Sequence, residues 1–148
     1  MSKVEEAVQC FENGFNCCQA IFSTYCEDYG LDKATALKIA SSFDAGKGPL
    51  TGTCGAITGA YMLIGLAHGM YKEEDTASKE KTLSLVQEFT DQFDYMHGSI
   101  RCKDLLKCDL STKEGLDYAK TNELYNKLCT IYIRDAAQLL EDFLEQNK

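Results

Sequence analysis

Apolar residues recur along this chain at three- and four-residue intervals and almost nowhere alternate with polar ones. That is the period of helices with one buried face. Ser2 and Glu5 form a Ser-x-x-Glu capping box around Val4, Ala7, Val8 and Phe11, predicting a first helix that ends at Asn13-Gly14. Asn16 then caps a second helix from Cys17 to about Tyr29, closed by Gly30. Asp32 opens a third, through Ala36, Leu37, Ile39 and Ala40 to Phe43. An irregular stretch follows between Ala45 and Thr53, with Gly46, Gly48, Gly52 and the only proline, Pro49. A fourth helix begins near Cys54, and a fifth runs from Asp75 to about Tyr95 with Leu83, Val86, Phe89, Thr90 and Phe93 on one face. Ser99 caps a short helix bearing Ile100, Cys102, Leu105 and Leu106; Ser111 with Glu114 repeats the capping box for another. The last and longest, about Thr121 to Glu145, carries Leu124, Leu128, Ile131, Ala136, Leu139, Leu140 and Phe143 as its stripe. With no strand run, internal repeat or linker, the expected fold is all-α, a single-domain helical bundle of about six to eight helices over residues 1–148.

Composition sharpens this picture. At 148 residues and 45% hydrophobic content the chain can bury a core without disulfide staples. A net charge of -8 disfavours nucleic acid and anionic membranes as partners. The apolar stretch from Cys54 to Met70 is shorter than the roughly 20 residues of a spanning helix and contains Gly59, Gly65, His68 and Gly69. It reads as a buried helix, without membrane insertion. The polar, acidic start Met1-Ser2-Lys3-Val4-Glu5-Glu6 does not resemble a secretory leader, so the expected compartment is the reducing cytoplasm.

There, eight cysteines point to metal or redox work more than to disulfides. No C-x-x-C occurs, which leaves zinc ribbons, ferredoxin runs, thioredoxin-type sites and covalent haem without support. The adjacent Cys17-Cys18 pair does not substitute, since helical neighbours diverge by about 100°. What remains is a site assembled across helices by Cys17, Cys54, Cys102 and Cys129, each from a different segment. Cys54 opens a helix after a glycine-rich loop, where free N–H groups and the helix dipole would lower its pKa. Gly55 and Gly59 leave a bare groove on that helix, open to another backbone, a cofactor or a second copy of the chain.

The bland alternative is that cysteine acts as a small hydrophobe. Cys10 and Cys26 sit on apolar stripes and read that way; Cys18 is inert or supporting, and Cys108 is core or surface. His68 and His97 lack a paired carboxylate motif and read as structural residues. Asp44 and Lys47 flank a glycine loop that does not match a phosphate-binding loop.

Asn16-Cys17-Cys18-Gln19-Ala20, Cys54-Gly55-Ala56-Ile57-Thr58-Gly59, Gly98-Ser99-Ile100-Arg101-Cys102-Lys103-Asp104-Leu105-Leu106 and Cys129 together resemble the C_GCAxxG_C_C family, from about Val8 to Leu140. The resemblance implies redox activity and a shared set of Cys17, Cys54, Cys102 and Cys129, with Cys10, Cys18, Cys26 and Cys108 outside it. That family is similar to part of the split-Soret cytochromes c, where an iron–sulfur centre accompanies the haems; no haem attachment sequence occurs here.

The expected function is therefore a small redox protein binding an iron–sulfur cluster, [2Fe–2S] favoured, through the four thiolates, with electron transfer to an unidentified partner protein. Two readings stand beside it. One is a thiol–disulfide redox protein in which Cys54 is the reactive thiolate. The other is a structural module holding Zn²⁺ at the same four cysteines.

Overall fold

A computed structural model describes residues 1–45 and 52–148. Among these residues it contains eight α-helices, one 3₁₀ turn, one π turn and no strands beyond a single β-bridge. The all-α expectation holds. The expected loop residues Gly46, Lys47, Gly48 and Pro49 lie outside the described residues.

The helices are α1 (Lys3–Glu12), α2 (Cys17–Tyr25), α3 (Lys33–Ala40), α4 (Gly55–His68), α5 (Thr76–His97), α6 (Cys102–Leu106), α7 (Lys113–Thr121) and α8 (Thr130–Gln146). Ser2 caps α1 by accepting from the Glu5 N–H at 3.2 Å. The Glu5 carboxylate leaves the box and accepts instead from Arg134 on α8, Nε to Oε1 3.2 Å. At α2 the reciprocal box is complete: Asn16 Oδ1 accepts from the Gln19 N–H, and Gln19 Oε1 accepts from the Asn16 N–H. A 3₁₀ turn, Cys26–Tyr29, continues α2 and ends at Gly30 in the left-handed region (φ 84).

Several boundaries differ from the sequence reading. The third helix stops at Ala40, leaving Phe43 beyond it and 42% exposed. Arg101, not Ser99, occupies the N-cap of α6; the Ser99 hydroxyl accepts from the Arg101 N–H and donates to Asp104. Thr112, not Ser111, caps α7, because Asp109 captures both the N–H and the hydroxyl of Ser111. The final helix opens slightly later than expected: Asn122 and Glu123 (φ 54) separate it from α7, and its first turn, Tyr125–Cys129, is wound as a π turn that runs on into α8.

The main core joins α1, α2, α4, α5 and α8, with Phe89, Phe93, Ile21, Ile57, Leu63, Ile64, Ile133 and Leu140 all but fully buried. Two predicted stripe positions face solvent instead: Leu83 is 59% exposed and Ile131 43%. Leu85 and Ile133 take their inward places, since two residues along a helix is more than half a turn of rotation. The bare groove of α4 is filled by α2. A Cβ on Gly55 would lie 2.9 Å from Cys17 Cβ, and one on Gly59 would lie 2.8 Å from the Cys18 carbonyl oxygen. The backbones meet there with no room for a cofactor between them.

Among the described residues no helix is long and apolar enough to cross a membrane.

Candidate functional site

Three local devices deliver cysteines to one place. The first is the glycine contact just described. Gly55 follows Cys54 directly, so packing α2 against the glycine face of α4 sets Cys17 beside Cys54. The second is an isolated antiparallel bridge between Thr53 and Arg101. The Cys54 N–H donates to the Ile100 carbonyl at 2.7 Å, and the Cys102 N–H donates to the Gly52 carbonyl at 2.8 Å. Each cysteine thus follows a bridged residue, and the backbone clamps the two side by side. The third is the π turn, whose wider winding places Tyr125, Asn126 and Cys129 together on the cavity wall.

The product is a cavity of about 320 Å³ lined by all four cysteines, Cys17, Cys54, Cys102 and Cys129. Leu105, Leu106, Leu110, Phe11, Tyr125 and Tyr132 supply apolar wall, while Phe15, Phe43, Glu12, Asp44 and Asn126 also line it. Phe15 and Phe43 are themselves partly exposed. The Tyr132 hydroxyl donates to the Leu105 carbonyl at 2.9 Å, tying α8 to α6 across one side.

All eight cysteines are free thiols. Of those in the cavity, Cys17, Cys54 and Cys102 bind their protons tightly. Cys17 is raised well above 9.0, first by hydrogen bonding with the Cys129 thiol and then by burial. Cys102 is pushed up to about 12 by burial, with the nearby Cys54 and Cys129 adding to it. Cys54 also rises to about 12 through burial. The Ala56 and Ile57 N–H groups at the helix start do pull its pKa down, as expected, but desolvation of a residue only 6% exposed outweighs them. The sequence reading of Cys54 as an activated thiolate is therefore reversed in the protein without metal. The same surroundings raise Tyr125 and Tyr132, burial first and Cys129 next.

The other cysteines stand apart from the cavity lining. Cys10 and Cys26 converge on buried Ser23, one sulfur 3.8 Å from its hydroxyl and the other donating to its carbonyl at 3.5 Å. Cys18 is fully buried and donates to the Met62 sulfur at 3.7 Å. Cys108 is half-buried and packs with Leu106, Leu110 and Cys129 just behind the wall. Of the histidines, His97 acquires a carboxylate that no local motif announced. Its Nε2 lies 2.9 Å from Asp135 on α8, off the hydrogen-bonding direction, and its ring packs on Phe93 and edge-on to Tyr132.

Sequence reasoning missed Tyr125 and Tyr132 as wall residues, although each sits within one turn of Cys129. It placed the helix boundary near Thr121 but missed the π winding of Tyr125–Cys129 that follows.

Four thiols and no imidazole are a soft donor set, suited to iron–sulfur clusters or zinc. Among the described residues no group of three or more His, Cys, Asp or Glu is gathered tightly enough to hold one metal ion.

The model of the C_GCAxxG_C_C family, described as "Putative redox-active protein (C_GCAxxG_C_C)", matches residues 15–143, and the chain belongs to that family. No curated protein and no solved structure matches the chain.

Proposed function

We propose that this chain is a small redox protein whose working centre is an iron–sulfur cluster, [2Fe–2S] favoured, held by Cys17, Cys54, Cys102 and Cys129, and that it passes electrons to a partner protein. The observation that carries the reading is one cavity lined by all four of these remote cysteines. When bound, the cluster would supply a one-electron donor and acceptor. The chain's own residues would hold it and set its surroundings. Leu105, Leu106, Leu110 and Tyr132 line the cavity and would exclude water, and a low dielectric around the sulfurs tunes the potential. The Ala56 and Ile57 N–H groups, which already oppose the rise of the Cys54 pKa, would favour a ligated thiolate there. Loading requires the cysteines to lose their protons, so the high proton affinity of Cys17, Cys54 and Cys102 makes uptake favour alkaline conditions. Eight free thiols suit a reducing compartment, and the reading includes the cytoplasm as the place of work.

The zinc reading uses the same four cysteines, and metal content separates the two. The test is anaerobic reconstitution of the reduced chain with iron and sulfide. About two irons and two acid-labile sulfides per chain, with visible absorption lost in Cys54→Ser and Cys102→Ser, are expected. A colourless product that retains zinc but neither iron nor sulfide overturns the assignment.

A further inference from the structure

The cavity changes in chemistry from its floor to its mouth. Cys54, Cys129, Leu105, Leu106 and Leu110 are buried and form a floor of thiols and aliphatic carbon. The mouth, where Glu12, Phe15, Phe43 and Asn126 reach the surface, is aromatic and acidic. Phe11, Phe15, Phe43, Tyr125 and Tyr132 place five rings along the walls, and the Tyr132 hydroxyl is committed to the Leu105 carbonyl. Glu12 and Asp44 add two carboxylates, and no described lining residue is Lys, Arg or His. Neither carboxylate enters an ion pair among the described residues. The walls of the mouth are also tied to each other. Asn16 Nδ2 donates to the Ala40 carbonyl at 3.3 Å and to the Ser41 carbonyl at 3.4 Å, joining the segment of Phe15 to that of Phe43. The Phe43 N–H returns to the same Ala40 carbonyl at 3.0 Å.

We propose that the mouth of this cavity binds a small organic cation, an amidinium or ammonium group carried on an apolar body. Aromatic rings attract cations through the negative charge of their faces, most strongly where water is excluded. The two carboxylates add attraction for the same sign of charge and repel anions. The chain's net charge of -8 draws cations to the whole surface, but only the mouth offers rings and carboxylates together around a cavity. At about 320 Å³ the cavity lies at the lower end of the range of about 300 to 1,000 Å³ for small-molecule sites, so the apolar body is a single ring or a short branched chain. The site needs no cluster and does not rest on that reading. Where the cluster reading holds, its four thiolates add negative charge beneath the mouth.

The test uses the full chain, reduced and free of metal, with its amide NMR spectrum followed during titration. Benzamidine, benzamide and benzoate serve as probes, since they share one shape and differ in charge. Benzamidine should bind tightest and benzoate weakest, with shifts concentrated at residues 11–16, 43–45 and 125–126. Added salt should weaken benzamidine and leave benzamide unchanged. The Glu12→Gln, Asp44→Asn double variant should weaken benzamidine about fivefold and spare benzamide. Phe15→Ala, at a partly exposed ring and with its fold checked by circular dichroism, should weaken both. Benzamidine no tighter than benzamide or benzoate, shifts spread over other acidic surface such as Glu73 and Glu74, or no binding of any probe overturns the proposal. So does benzamidine binding that the variants leave untouched. Iron uptake is read on a separate sample. A chain that takes up no iron but binds benzamidine at the mouth therefore fails only the cluster reading, and a chain that takes up iron but binds no probe fails only this one.

Discussion

The body built by α1, α2, α4, α5 and α8 and the end built around α6 and the π turn use cysteine in opposite ways. In the body, Cys10, Cys18 and Cys26 fill space: each is buried, and each meets a neighbouring side-chain or backbone acceptor. Phe89 packs edge-on against Tyr61 and Phe143 there, and the Tyr61 hydroxyl bonds the Thr90 hydroxyl. At the other end, four cysteines stand around a cavity that no side chain of the described residues fills. The residue type is the same and so is its preference for burial. What differs is whether the surrounding helices close up, and they stay apart where the five-residue α6, a π turn and a β-bridge meet the starts of α2 and α4. Long helices bury continuous stripes; short ones present single side chains at their ends.

The sharpest way to break this contrast is to hollow the filled end. Phe89→Ala should cost about 3–5 kcal/mol, read as a lower urea midpoint. A cost near that of a surface change would show the body to be loosely packed. Next comes pH, acting on the cavity. Cys54 and Cys102 hold their protons up to about 12 in the fold, against 9.0 for an ordinary thiol. The unfolded chain therefore ionises first. The metal-free protein keeps this stability below about pH 9 and loses it as pH rises toward 12, by an amount on the order of a few kcal/mol. The Cys54→Ala, Cys102→Ala double variant should show a shallower decline in denaturant midpoints over that range, and equal slopes would remove the assigned cause.

Gly59→Ala probes the join between the two regions. Its Cβ would press on the Cys18 carbonyl and on Ile21 Cβ at 2.9 Å, costing about 1–3 kcal/mol through displacement of α2. Because α2 carries Cys17, the same change should lower iron uptake on anaerobic reconstitution; unchanged uptake would uncouple the glycine contact from the cavity. The smallest effect belongs to Leu83→Ala. At 59% exposure it should shift stability by no more than about 0.5 kcal/mol despite its place in the predicted stripe.

Much of the scaffold was readable before any coordinates. Ser2, Asn16, Asp32 and Asp75 each accept from the backbone N–H three residues on, a local interaction that needs no knowledge of the fold. Where tertiary partners compete, reading fails. Glu5 leaves its capping box for Arg134, and Asp109 takes Ser111 from its expected capping role. Leu83 and Leu85 could not be told apart by period alone, because the positions of α4 and α8 decide which side of α5 is inside.

For the candidate site, the sequence alone marked four cysteines and the Cys54–Gly59 segment, because residue type and spacing are covalent facts. It also determined the helical class, since the apolar period is written in the order of residues. Only the tertiary structure decided that Gly55 and Gly59 receive α2, that Thr53 pairs with Arg101, and that Cys129 ends a π turn on the wall of the cavity Cys17 also lines. It also reversed the direction of the Cys54 pKa. A helix start acts through its nearest N–H groups, but burial sums over every neighbour the fold brings near, and those neighbours come from elsewhere in the chain.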